Sequence, residues 1–181
     1  MFQGADIFAA KINLEVQHAN EQAIAAIERN GGTVVTKYYD MRCVEAMVDP
    51  QAFFMRGLPI PVNKLPNDSL MKYYVDPRNR GYLADPDDVE ACRYELAQKY
   101  GYKLPDTSSD AVCQMQKRPE QIWYGLEPGW IVNLEDKTIL RPKSEEAREY
   151  YEAKHVYSGQ LDAIIETDRD VHLGKVDTNK V

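Results

Sequence analysis

Basic side chains recur along a stretch of the sequence that is also rich in proline and aromatic residues. They are Arg56, Lys64, Lys72, Arg78 and Arg80. A segment that presents cationic and aromatic side chains together can contact the phosphates of an RNA backbone and its unstacked bases. Lys117 and Arg118 form a second, smaller basic pair. Ordinary solvated surface charge is the alternative interpretation of both groups.

Other residues could support different chemistry, but each has a structural explanation. Asp85, Asp87 and Asp88 resemble a cation-binding cluster, yet their position at a helix start is explained by capping and by the helix dipole. Cys92 would need a positioned base to act as a nucleophile, and its place on the apolar face of that helix favours a core role. His18 precedes another helix, where capping or core packing is the simpler role.

Motifs of the common enzyme classes are absent from the sequence. It contains no phosphate-binding loop, dinucleotide fingerprint, hydrolase elbow or zincin motif. The three cysteines, an odd number, form no C-x-x-C pair, and no histidine lies at zinc-ligand spacing from any of them. We therefore predict no catalytic residue, no cofactor, no metal and no small-molecule substrate.

Charge is distributed unevenly along the 181 residues. The net charge of −7 by itself argues against binding to nucleic acid. Residues 1–83, however, carry nine of the 22 basic and nine of the 29 acidic residues, so the excess acidity belongs to residues 84–181. A nearly neutral half can contact RNA while an acidic half faces solvent or protein. No apolar run approaches the roughly 20 residues that span a bilayer, so we expect no membrane partner.

The periodicity of residues 1–40 predicts a strand–helix–strand core. Ile12, Leu14 and Val16 alternate with polar residues, as in a strand with one buried face. Asn20 is suited to cap the following helix, and Gly31 with Gly32 to end it. The β-branched and aromatic run of residues 33–39 then predicts a second strand.

The rest of the chain is expected to form a long, irregular and partly helical extension. Five prolines between residues 41 and 84 predict an irregular surface course there. Residues 85–151 should contain a capped helix at 85–100, a short helix from about 108 to 116, a hairpin turn at Asp136–Lys137 and a helix from about 144. Residues 152–181 show no strong pattern, and the chain end is expected to be loose.

Several ordered motifs resemble one protein family. Residues 11–17 (KINLEVQ), 19–28 (ANEQAIAAIE) and 30–32 (NGG) are similar to the C-terminal signature of universal large-subunit ribosomal protein fifteen. Further motifs resemble its mitochondrial branch. They are residues 53–61 (FFMRGLPIP), 79–86 (NRGYLADP), 100–106 (YGYKLPD) and 125–133 (GLEPGWIVN). Together the motifs span about residues 5–151.

The resemblance implies a non-enzymatic constituent of the mitochondrial large ribosomal subunit. Its implied partners are large-subunit ribosomal RNA and neighbouring ribosomal proteins, and its implied location is the mitochondrion, which no transit peptide at Met1 indicates. Charge and motif position then nominate six RNA-facing residues. They are Arg56, Lys64, Arg78, Arg80, Lys117 and Arg118.

The sequence departs from the family at its start. Family members begin with a basic, glycine-rich arm, and the sequence before residue 5 does not resemble one. We expect either that the chain is a fragment or a truncated gene model, or that this form relies on its globular part. A protein-interaction module with an acidic C-terminal half and no RNA role is the alternative function.

Overall fold

The computed structural model describes residues 4–106, 111 and 115–151. The described chain is a mixed α/β protein, as the sequence predicts. Its first elements are β1 (Asn13–Val16), α1 (Glu21–Arg29), β2 (Thr33–Thr36), α2 (Met41–Val48) and α3 (Pro50–Met55). They are followed by α4 (Asp68–Val75), a 3-10 turn (Pro77–Asn79), α5 (Pro86–Tyr100), β3 (Ile131–Asn133), β4 (Thr138–Leu140) and α6 (Glu145–Tyr151).

A strand–helix–strand unit stands at the start of the described chain, with Leu14 of β1 exposed and with β2 ending at Thr36, short of the strand predicted over residues 33–39. The Asn20 side chain accepts a hydrogen bond of 2.9 Å from the Ala23 N–H and so caps α1. Gly31 follows the helix at φ +78°, a left-handed conformation that costs glycine little. β1 and β2 then pair in parallel, with Asn13 opposite Thr33 and Val16 opposite Thr36.

A short strap of residues 80–82 pairs with the end of β2. The Thr36 N–H donates to the Arg80 carbonyl oxygen at 2.8 Å, and the Tyr82 N–H donates to the Thr36 carbonyl oxygen at 3.0 Å. Thr36 is fully buried, and its hydroxyl donates to the Asn79 carbonyl oxygen at 3.0 Å. A segment that is distant in sequence therefore adds one β-bridge to the two-stranded sheet.

The prediction of an irregular course from residue 41 to 84 is wrong, because α2, α3 and α4 form there. Each of these helices begins at an aspartate or asparagine whose side chain accepts a backbone N–H: Asp40, Asp49 and Asn67. Pro50 occupies the first turn of α3, where its missing N–H costs nothing. Pro50 thus starts one of these helices, whereas the prediction of an irregular course rested on proline as a residue that interrupts helices.

Residues 85–151 contain two helices and a hairpin within the described ranges. Asp85 caps α5, which ends at Gly101 with φ +71°. β3 and β4 form an antiparallel hairpin, in which Lys137 has φ +52°. α6 begins at Glu145, close to the expected start. The helix predicted at about 108–116 lies mostly outside the described residues, and the tail from 152 lies wholly outside them.

Among the described residues, apolar side chains pack in three clusters. The first joins Ile24 and Ile27 of α1 to Val34 of β2 and Leu96 of α5. A second surrounds Cys43, Ile60 and Ile122, and a third surrounds Met71, Tyr74, Val75 and Leu83. Within the described ranges, no helix combines the length and apolarity needed to cross a membrane.

Candidate nucleic-acid interface

Three of the six predicted residues face solvent on the segment between α2 and α5. Arg56 follows α3 with its side chain 60% exposed, and its nearest ionic partner is the exposed Glu45 carboxylate at 3.6 Å. Lys64 is exposed in the linker between α3 and α4, and Arg78 is exposed in the 3-10 turn. All three cationic groups are accessible to a phosphate. We call Arg56, Lys64 and Arg78 the exposed trio.

Arg80 lies inside the protein, at 3% exposure. Its guanidinium binds the Glu28 carboxylate through Nε at 2.7 Å and Nη2 at 3.0 Å, and its Nη1 donates to the Pro77 carbonyl oxygen at 3.0 Å. Only 2% of either side chain in this pair is exposed. The structure therefore assigns Arg80 a role in holding the fold, because its donors are committed to internal acceptors.

The Glu28 carboxylate joins three parts of the chain. It lies on α1, and besides Arg80 it contacts Arg93 of α5 at 3.6 Å and the Tyr102 hydroxyl at 3.3 Å. Burial, followed by the Glu28 charge, raises the pKa of Tyr102 to about 12. The network thus links α1, the strap and α5 around one buried negative charge.

Lys117 is also committed internally. Its side chain is 7% exposed, and its ammonium donates to the Glu15 carboxylate and to the Tyr39 hydroxyl, each at 2.7 Å. Tyr39 also donates a short hydrogen bond to Glu15, and burial raises the pKa of its hydroxyl. Lys117 therefore joins the chain after residue 115 to β1 and to the segment after β2.

Arg118 is intermediate, with 41% of its side chain exposed. Its guanidinium contacts the Glu120 carboxylate at 3.1 Å and pairs with the Glu127 carboxylate. Of the six predicted residues, three are thus freely exposed, one is half exposed and paired, and two serve inside the structure.

Lys37, which no sequence motif singles out, is the most deeply buried cation in the part of the chain that the structure describes. It is 1% exposed, and its ammonium donates to the carbonyl oxygens of Arg118 at 2.9 Å and Gln121 at 2.7 Å. Burial, and next the nearby Lys117 charge, lowers the pKa of Lys37 to about 8. The residue follows β2 directly, and no sequence signal marks it, because lysine is rarely buried.

The lowered pKa of Lys37 predicts a pH-dependent stability. The pKa of Lys37 in the folded protein, about 8, lies below its value of 10.5 in the unfolded chain. At pH values between these two pKa values the unfolded chain binds more protons than the folded protein, so the free energy of unfolding rises with pH. From pH 7 to pH 9 the gain should be about 1.4 kcal/mol. We expect the difference in unfolding free energy between wild type and Lys37→Met to grow by this amount, measured by urea denaturation at each pH.

The exposed lysine at position 64 supplies the control for this measurement. The difference between wild type and Lys64→Met should stay constant over the same pH range, because the Lys64 ammonium is solvated in both states. The Cys43 thiol, whose pKa burial raises, stays protonated in the folded protein up to pH 9 with or without the Lys37 charge, so its contribution cancels in the differences. If the difference in unfolding free energy between wild type and Lys37→Met does not change with pH, the lowered pKa of Lys37 is contradicted.

The other residues considered for chemistry have structural roles or simple packing contacts. Asp85 accepts the Asp87 N–H at 3.0 Å, as expected of a cap. Burial raises the pKa of the Cys92 thiol. The exposed His18 ring stacks on Tyr73 with centroids 5.0 Å apart. Across the described ranges, no three histidine, cysteine or acidic side chains are grouped to hold a metal ion.

Fold and site together define a mixed α/β protein that buried ion pairs hold together and that presents separate basic side chains to solvent. Comparison with known proteins then gives its relatives. The chain is 52% identical over 152 residues to large ribosomal subunit protein uL15m of zebrafish, Danio rerio, an alignment that covers 82% of this chain. It is 32% identical over 84 residues to the protein of that name in Schizosaccharomyces pombe, and 28% over 104 residues to that in Neurospora crassa. No family model matches the chain.

The chain is a homologue of the mitochondrial large ribosomal subunit proteins uL15m, and the resemblance read from its sequence is confirmed. The homology supports a mitochondrial location. The chain spans about half the length of the zebrafish relative, 51%, and about a third of the two fungal relatives, 32% and 33%.

Proposed function

We propose that this protein is a structural, non-catalytic constituent of the mitochondrial large ribosomal subunit, and that it binds and stabilises ribosomal RNA during assembly and translation. The homology to uL15m carries the proposal, because 82% of the chain aligns at 52% identity with a protein of the large ribosomal subunit. A role in assembly requires a rigid body that holds RNA segments in position, and the buried Glu28 network provides rigidity of this kind.

The RNA contact is proposed to run through the exposed trio. Arg56, Lys64 and Arg78 lie on loops and turns around α3 and α4, where they can approach a phosphate with few steric restrictions. Contacts of this kind position a protein on RNA without reading sequence. Arg80 and Lys117 are left out of the proposed interface because their donors are occupied inside the protein.

Contact with neighbouring ribosomal proteins is proposed for α2 and α3. Met41, Val48 and Met55 are 80%, 79% and 74% exposed. Apolar groups that remain in solvent after folding are available to an interface with protein. Such an interface would lie next to the proposed RNA contact, because Arg56 immediately follows Met55.

The proposal predicts that reversing the charge of the exposed trio weakens RNA binding. The variant Arg56→Glu, Lys64→Glu, Arg78→Glu should bind a large-subunit ribosomal RNA fragment at least about tenfold less tightly, with a flatter salt dependence. Filter binding at several salt concentrations measures both. In cells, less of the tagged variant should co-sediment with mitochondrial large subunits in a sucrose gradient.

The matched control changes the same number of charges elsewhere. Lys103, Lys137 and Lys143 are exposed, and their replacement by glutamate should leave RNA affinity much closer to wild type. Equal losses in both variants would show that net charge alone governs binding and would remove the exposed trio as an interface. Wild-type protein found only in light gradient fractions would overturn the ribosomal role itself.

A further inference from the structure

A cleft of about 440 Å³ lies between the segment 118–130 and the chain from residue 141 to α6. It is built from arginine, glutamate and aromatic side chains. Its lining side chains include Arg118, Glu120, Glu127, Trp130, Arg141, Arg148 and Tyr151. The volume falls within the range of small-molecule sites, roughly 300–1,000 Å³. Neither the homology nor the exposed trio assigns a function to this cleft.

The three arginines of the cleft differ in how far they are neutralised. Arg118 is paired with both Glu120 and Glu127. Arg148 has only a long contact of 3.8 Å to the exposed Glu145. Arg141 lies over the Trp130 ring, 4.5 Å from its centroid, and within the described ranges no carboxylate forms an ion pair with it. The cleft therefore retains positive charge at Arg141 and Arg148.

Trp130 and Tyr151 give the cleft its aromatic character. Trp130 packs against the apolar cluster around Ile60 and Ile122, and the Arg141 guanidinium lies over its ring. Tyr151 lies so close to Gly129 that any larger residue there would displace its ring. A planar guanidinium supported by tryptophan is a surface on which a nucleic-acid base can stack.

We propose that this cleft binds one unstacked nucleotide, with the base on the Arg141 guanidinium and the phosphate near Arg148. Glu120 and Glu127 favour a ligand that carries hydrogen-bond donors, because each carboxylate can accept a hydrogen bond from the amino group of a base in addition to its pairing with Arg118. The inference rests on the proposed RNA role and adds a second contact, distinct from the phosphate contacts of the exposed trio.

The full chain, labelled with ¹⁵N at tryptophan, tests the proposal. Two indole N–H signals are expected in the NMR spectrum, and the Trp130→Phe variant assigns the one from Trp130. Titration with adenosine 5′-monophosphate should shift the Trp130 signal and leave that of Trp123 in place. Arg141→Ala should weaken this binding about tenfold, the size expected from loss of one base-stacking surface.

The matched control is Arg42→Ala, which removes an exposed arginine from α2 and should leave the titration unchanged. Titrations with adenosine and with inorganic phosphate separate the two halves of the ligand, and each should bind more weakly than the nucleotide. Phosphate that binds as tightly as the nucleotide, a glutamate peptide that binds more tightly, or an unmoved Trp130 signal would overturn the nucleotide site. The proposed ribosomal RNA role would survive these outcomes if reversal of the exposed trio still weakens RNA binding.

Discussion

Replacing Arg80 by methionine should lower the free energy of unfolding by about 3–5 kcal/mol. Methionine removes the guanidinium but leaves the Glu28 carboxylate buried without the bidentate partner that binds it at 2.7 and 3.0 Å. Arg93 and Tyr102 remain near Glu28, but at 3.6 and 3.3 Å they cannot replace two short charge-assisted hydrogen bonds. Urea denaturation followed by circular dichroism measures the loss.

A double variant separates loss of the ion pair from loss of packing. Glu28→Gln combined with Arg80→Met removes the buried charge as well, so its destabilisation should be clearly less than the sum of the two single changes. The exposed pair between Lys99 and Glu21, also 2.7 Å long, serves as the comparison. Lys99→Met should change stability far less, because solvent screens both charges. Similar losses for Arg80→Met and Lys99→Met would contradict the role of burial.

The Gly81→Ala variant should lose about 1–3 kcal/mol of stability, the cost of overpacking a closely packed site. A methyl group on Gly81 would collide with the carbonyl group of Tyr74 and would lie 2.9 Å from its Cα, so backbone must move. That movement would disturb the strap, in which Gly81 stands between the two hydrogen bonds to Thr36. Thermal and urea unfolding should both register the loss.

Gly57 provides a control for a change at a glycine in open space. It has φ +64° and no atom within 4 Å of an added Cβ, and asparagine tolerates this conformation. Gly57→Asn should therefore change stability much less than Gly81→Ala. Gly81 is not among the glycines with positive φ, so equal losses for the two changes would contradict a steric cost of the close approach to Tyr74.

Arg80 and Gly81 are neighbours in the strap and belong to the motif NRGYLADP at residues 79–86. Arg80 uses its charge to hold Glu28, and Gly81 allows the chain to pass directly over Tyr74. A family motif that contains an arginine next to a glycine is therefore explained here by internal packing. Its RNA contribution is proposed to come from the neighbouring Arg78, which is exposed.

Sequence alone determined the local elements of this protein. The alternation of residues 12–16, the caps at Asn20 and Asp85, and the glycines that end α1 and α5 predicted these elements correctly, because each signal acts within a few residues. The resemblance in ordered motifs also identified the family that the comparison confirmed. The number of prolines did not predict the helices at residues 41–75. Three local caps start these helices, and proline is compatible with a first helical turn.

Which charges face solvent depends on contacts between distant parts of the chain. Arg78 and Arg80 are two residues apart in one basic motif, yet one is exposed and the other is bound to Glu28, 52 positions earlier in the chain. Lys37 and Lys117 are likewise buried against groups about 80 to 100 residues away. Burial of a charge depends on whether a distant partner offsets its desolvation, and pairing over such separations leaves no local pattern in a single sequence.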